Sequence, residues 1–234
     1  MKADSVSPAV LEQIRQLRGT IVASAIEKLR VRLPNVGFAD CSIRAVFKDQ
    51  RPIVGYAATL RIRTTEPPME GRNYYKNTEW WGHVVKIREP RIVVVEDLDD
   101  PSGRGAFVGE AHACILKALG CIGLVTNGTV RDTDCIQTMG FPMFARGVSL
   151  SHAFAHVVDF GGKVTIAGLE VEPGELIHAD RHGVQTIPLE IAAEVPRVAE
   201  AVMERRKRFL DLCSGNSPME KLREAVEENE GYKK

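Results

Sequence analysis

The run Ile92-Val93-Val94-Val95 constrains the fold more than any other stretch of this chain. Four consecutive β-branched residues leave no polar face, so a strand here must be buried on both sides. Such strands belong to sheets covered by other layers, which places the chain among α/β folds. The flanking segments agree. Residues 109–119 read as a helix, 121–126 as a second buried strand, 133–139 as a short helix and 142–145 as another strand.

Upstream, Ser7 before Pro8 caps a helix. Val10, Ile14, Leu17, Ile21 and Leu29 then share one face, which predicts a single helix ended by Pro34 and Gly37. Residues 41–47 and 53–64 read as strands, with alternation over 58–63 suggesting a half-exposed one. Residues 66–77 carry Pro67, Pro68 and Gly71 and read as a loop, followed by a helix over 78–88. Residues 156–160, 164–166 and 169–171 read as strands joined by tight turns at Gly161-Gly162 and Gly168. Residues 176–179 and 184–187 form a further pair around Asp180-Arg181-His182-Gly183. From 190 onward the pattern is helical and charged. The whole predicts one α/β domain with a mixed sheet over 1–188 and a C-terminal helical extension over 189–234.

Charge narrows the function classes. Lys plus Arg and Asp plus Glu each number 31, so the formal net charge is zero. That gives no electrostatic reason to expect a nucleic-acid or membrane-surface partner. No apolar run reaches bilayer length, and residues 1–10 lack a signal-peptide core. The five cysteines are scattered and form no CxxC, which suggests reduced thiols in a cytoplasmic protein, with Cys114 and Cys121 in the core.

The chemistry-bearing candidates lie between 109 and 132. A helix starting at Gly109 presents backbone N–H groups and the positive end of its dipole, which suits an anion. The strand over 121–126 carries Asn127, Gly128, Arg131 and Asp132 toward the same end of the sheet. Arg131 can hold a carboxylate through two parallel hydrogen bonds. Asp132 can bind a hard divalent cation, and Glu110 can join the same water shell or act as a base. So few carboxylates, with retained waters, suit Mg²⁺ or Mn²⁺ better than Zn²⁺. A surface turn with a helix-capping aspartate accounts for the Arg131–Asp132 pair about as well.

Three blocks in order, GEAHACILKALGCIGLVTNGTVRD, FPMFARG and GLEVEPGELIHADRHGVQTIP, resemble the 4-hydroxy-4-methyl-2-oxoglutarate aldolase family. That family includes the regulator of ribonuclease activity A. The resemblance is best over 93–188. It implies a layered α/β sandwich similar to swivelling phosphohistidine domains, assembled as a homotrimer or homohexamer. It implies metal-dependent cleavage of a 4-hydroxy-2-oxo diacid to pyruvate and a second oxo acid, often with oxaloacetate decarboxylation. In that reading Gly109, Glu110, Ala111 and His112 contact substrate at the helix start, Arg131 binds substrate, and Asp132 ligates Mg²⁺ or Mn²⁺. Glu110, or a water it orients, takes the hydroxyl proton.

Asn127 stands where the family often has Asp, and His112 where an apolar residue is common. The 66–77 segment and the tail after 188 also look longer than in compact members. These departures bear on the substrate. Two other functions stay open: a non-catalytic regulator that binds a ribonuclease or other protein, and a sugar-acid lyase or hydratase.

Other features read more plainly. His152 and His156 have HxxxH spacing, but no glutamate follows His152 as in zinc proteases. His178, Asp180 and His182 alternate around a turn, and a structural role fits them best. Trp80 and Trp81 suit packing, and Arg205 to Arg208 a solvated helix face.

Overall fold

The computed structural model describes residues 6–69, 78–214 and 218–230. The Ser7 hydroxyl accepts a hydrogen bond from Val10 N and opens helix α1 (Pro8–Gln16). The single helix expected here is two. Leu17 and Arg18 are extended, and α2 (Gly19–Leu29) begins afresh. The cause is remote in sequence: Asp180 Oδ2 accepts the Gly19 N–H at 2.7 Å, capping α2 from another element.

The expected strand over 41–47 shrinks to β1 (Arg44–Ala45), because Asp40 takes the Ser42 N–H and turns the chain. Next come β2 (Ile53–Arg63), α3 (Glu79–Lys86), β3 (Arg91–Asp97), β4 (Ala106–Val108), α4 (Glu110–Ala118) and β5 (Cys121–Thr126). Residues 70–77 of the expected loop lie outside the described residues. The chain continues with β6 (Thr129–Val130), α5 (Thr133–Met139), β7 (Met143–Ala145), β8 (Gly147–Val148) and β9 (His156–Phe160). It ends with β10 (Val164–Ile166), β11 (Leu169–Val171), β12 (Leu176–Asp180), β13 (Gly183–Ile187), α6 (Val195–Ser214) and α7 (Met219–Glu230).

The main sheet runs β1-β7-β5-β3-β2-β12-β13, with β9 also on β2. Its centre, β2, β3, β5 and β7, is parallel, and its other pairings are antiparallel. The run in β3 behaves as its composition demands. Val93 and Val95 pack with Leu60, Trp80, Leu116 and Leu124 on one face. Ile92 and Val94 pack with Phe144 and the β10–β11 hairpin on the other. Strand β2 is buried on both faces through Leu60, and only its last three residues alternate.

The hairpin turn at Ala167-Gly168 has φ of +47° and +78°, the backbone of a primed two-residue turn. Gly161-Gly162 does not close a hairpin, since β9 pairs with β2 and not with β10. A third apolar cluster joins α1 and α2 to Ile191, Val195 and Ala199 at the start of the C-terminal helices. Cys121 is buried as expected, but Cys114 is exposed on α4. No helix among the described residues is long and apolar enough to cross a membrane.

Candidate active site

A second, small sheet builds the site. Strands β4, β6 and β8 are parallel, and Val108, Val130 and Val148 lie in one register row. The next residues, Gly109, Arg131 and Ser149, therefore leave the same carboxyl end. Hydrogen bonds extend the register, from Arg131 N to Val108 O at 3.0 Å and from Ser149 N to Val130 O at 2.9 Å. It is β6, not β5, that delivers Arg131 and Asp132.

Asp132 holds a left-handed conformation, φ +54° and ψ +40°, which aspartate adopts more readily than most residues with a Cβ. Its carboxylate is tied down. Oδ2 accepts the Glu110 N–H at 3.1 Å, and Oδ1 accepts from Arg131 Nε at 3.2 Å. The Glu110 amide first, then the Arg131 guanidinium, hold this carboxyl below the usual carboxylate range. The anion at the start of α4 is thus the protein's own. Gly109 is glycine for this reason: a Cβ there would stand 2.5 Å from Asp132 Oδ2.

The other expected residues fall into two groups. Glu110 and Ala111 are exposed at the mouth, with the Glu110 carboxylate close enough to Cys135 to push its thiol pKa up. His112 is buried beneath them, its ring stacked on Trp80 at 6.4 Å and 5.2 Å from Phe107. Burial lowers its pKa to about 4, so the ring is neutral at pH 7.

Asn127 serves the scaffold. Its Oδ1 accepts from Asp97 N at 2.7 Å and its Nδ2 donates to Asp97 O at 3.0 Å. A carboxylate could not make the second bond, which accounts for Asn at this position. Asp97 is buried at the end of β3 and accepts from Gly103 N and Asp99 N; burial pushes its carboxyl up. These contacts fix the 98–105 loop leading into β4.

The remaining histidines are dispersed. His152 lies in the loop after β8 and His156 in β9, so the HxxxH spacing is not helical. His178 is fully buried in β12, and His182 bonds Asp180 beside the start of α2. Sequence reasoning did not place His152, whose Nδ1 is 2.7 Å from Ala106 O. Only the pairing of three very short strands reveals that position.

Among the described residues, no group of three or more His, Cys, Asp or Glu is arranged to hold a metal ion. The donors at the junction, Asp132 and Glu110, are hard oxygens. Each Asp132 oxygen accepts one bond and keeps a further acceptor site. That set fits Mg²⁺ or Mn²⁺ with most of its shell drawn from water and substrate.

The chain matches the RraA-like family, described as Aldolase/RraA, over residues 20–185. It belongs to that family. Among relatives, it is 24% identical to the uncharacterized protein MJ0644 of Methanocaldococcus jannaschii, over 71% of this chain and 76% of that one. It is 30% identical to a Halalkalibacterium halodurans protein provisionally named 4-hydroxy-4-methyl-2-oxoglutarate aldolase, over 42% of this chain and 47% of that one. In that second case the matched segment spans less than half of the relative. A Streptomyces coelicolor structure, RraAS2, titled an unusual member of the RNase ES inhibitor RraA protein family, superposes with a TM-score of 0.66. It is 18% identical and is covered over 98% of its length by 89% of this chain, which establishes a shared mixed α/β fold. The RraA-like match spans all three strands of the small sheet and therefore both Arg131 and Asp132.

Proposed function

We propose that this RraA-like chain is a divalent-metal-dependent lyase. It cleaves a 4-hydroxy-2-oxo diacid to pyruvate and a second oxo acid, and it decarboxylates oxaloacetate. One observation carries the reading: Arg131 and the left-handed Asp132 are clamped against Gly109 and Glu110 at the open end of the small sheet. A half-exposed ion pair fixed in a left-handed turn by two hydrogen bonds fits a functional site. The aldolase-named relative supports the reaction class.

In this mechanism Asp132 and Glu110 would hold the metal through its water shell. Bound there, Mg²⁺ or Mn²⁺ supplies Lewis-acid stabilisation of the enolate that forms when the carbon–carbon bond breaks. Arg131 grips the substrate carboxylate and places positive charge beside the developing oxyanion. Glu110, directly or through a water it orients, takes the proton from the 4-hydroxyl. Residues 1–188 carry this chemistry, and 189–234 are a helical extension.

We further propose that a second copy of the chain completes the site in a homotrimer or homohexamer. Val148 at the end of β8 and Leu150 and Phe154 on the loop after it are 61%, 95% and 52% exposed, an apolar surface that suits another subunit. The same surface supports the alternative of a non-catalytic regulator that binds a ribonuclease or another protein.

A coupled assay for pyruvate release separates the two. With Mn²⁺ and either oxaloacetate or 4-hydroxy-4-methyl-2-oxoglutarate, the wild type turns over. Arg131→Ala and Asp132→Ala each lose at least about 100-fold of that rate with an unchanged circular dichroism spectrum. Substantial turnover by either variant removes the assignment, and a wild type inactive on both oxo acids favours the regulator.

A further inference from the structure

Three arms leave the carboxyl end of the small sheet, and the proposed function uses two of them. The third follows β8 and folds back along β4. Ala106 N donates to Ser151 O at 2.9 Å, and Ala155 N to His152 O at 3.0 Å. Ala153 N donates to Ser151 Oγ at 3.0 Å. Ala153 itself has φ +48°, a left-handed conformation that a residue with a Cβ adopts only under constraint. A Cβ on Gly105 would lie 2.3 Å from His152 O, so this glycine admits the arm.

The ring is oriented as well as placed. His152 Nδ1 lies 2.7 Å from the Ala106 carbonyl oxygen, which can only accept, so Nδ1 carries a hydrogen. Nε2 is then the nitrogen through which the ring exchanges protons. His152 is half-buried, and its bond to Ala106 seats the ring against β4, the strand whose carboxyl end leads into Gly109 and Glu110.

We propose that His152 is a further catalytic residue, the donor that protonates the enolate to give pyruvate. This role rests on the oxo-acid reading above. The proton leaves Nε2 for the terminal enolate carbon. The carbon–carbon π pair becomes the new C–H bond, and a lone pair of the enolate oxygen re-forms the carbonyl. The neutral ring regains a proton from solvent, to which the hydroxyl proton has passed through Glu110. In reverse, the neutral ring removes a methyl proton from bound pyruvate.

Two measurements on one preparation test this. Exchange of the pyruvate methyl hydrogens in D₂O, followed by NMR with Mn²⁺ replaced by Mg²⁺, needs the proton-transferring group. Carbon dioxide release from oxaloacetate makes the enolate without it. His152→Gln is expected to slow exchange by about 100-fold or more while decarboxylation falls by less than about 10-fold. Unaltered exchange, or equal loss of both activities, overturns the role of His152 alone. A wild type that neither exchanges nor decarboxylates removes the oxo-acid reading, and this role with it.

Discussion

His112 shows how a polar residue can support a site without entering it. Its neutral ring is a flat partner for Trp80 and Phe107 beneath the start of α4. The arrangement has a pH signature. Its folded pKa, about 4, lies below the ordinary value, so the unfolded chain binds the extra proton in the intervening window. The contribution of His112 is therefore fully present above about pH 6.5 and lost as pH falls toward 4. At pH 5 the loss is on the order of 2 kcal/mol. His178 and His83 are also lowered by burial and act in the same direction, so the wild type alone cannot isolate the effect. His112→Leu does. Urea midpoints at pH 7 and pH 5 should differ less in the variant than in the wild type. Equal pH sensitivity of the two would mean the ring is solvated.

At the scale of elements, legibility followed length. The β3 run was plain because four β-branched residues admit one reading. The helix starting at Gly109 was equally visible. The strands that build the site were not, because β4, β6 and β8 have three, two and two residues, too short for a period of two to register. Arg131 and Asp132 were therefore singled out by residue type alone, while the position of His152, reached only through β8, was not legible. The break between α1 and α2 was hidden for a related reason, since its cause, Asp180, lies 161 residues from Gly19. Burial pushes the Asp180 carboxyl up, but bonds from Gly19 and His182 outweigh it and hold the pKa below the usual range. That stabilisation is present above the unfolded pKa and is lost as pH falls through the folded one. Asp180→Ala removes the cap and leaves Gly19 N buried without its acceptor. A cost of about 2 kcal/mol at pH 7 is expected, read as a lower urea midpoint with an unchanged slope. A change below about 0.5 kcal/mol would mean that Gly19 finds another acceptor.

At the scale of the whole molecule, the apolar surface and the proposed His152 arm are one piece of chain. The arm after β8 carries His152 inward and Leu150 and Phe154 outward within six residues of Val148. A side chain as large as leucine at 95% exposure gains nothing from folding in a lone chain, and the proposed association would bury it. A closed ring of copies would bury this loop once per subunit and set each His152 arm against a neighbour. Wild type should then sediment at three or six times 25.8 kDa. Leu150→Asp with Phe154→Asp places two charges in the proposed contact, and the species should shift to 25.8 kDa. Because the arm loses its support, turnover should fall with the loss of assembly across a dilution series, while the main-sheet circular dichroism signal holds. A wild type that sediments as a single chain, or a double variant with unaltered mass, would show that the loop faces solvent or a different protein. The regulator reading would then gain the surface that the oligomer has lost.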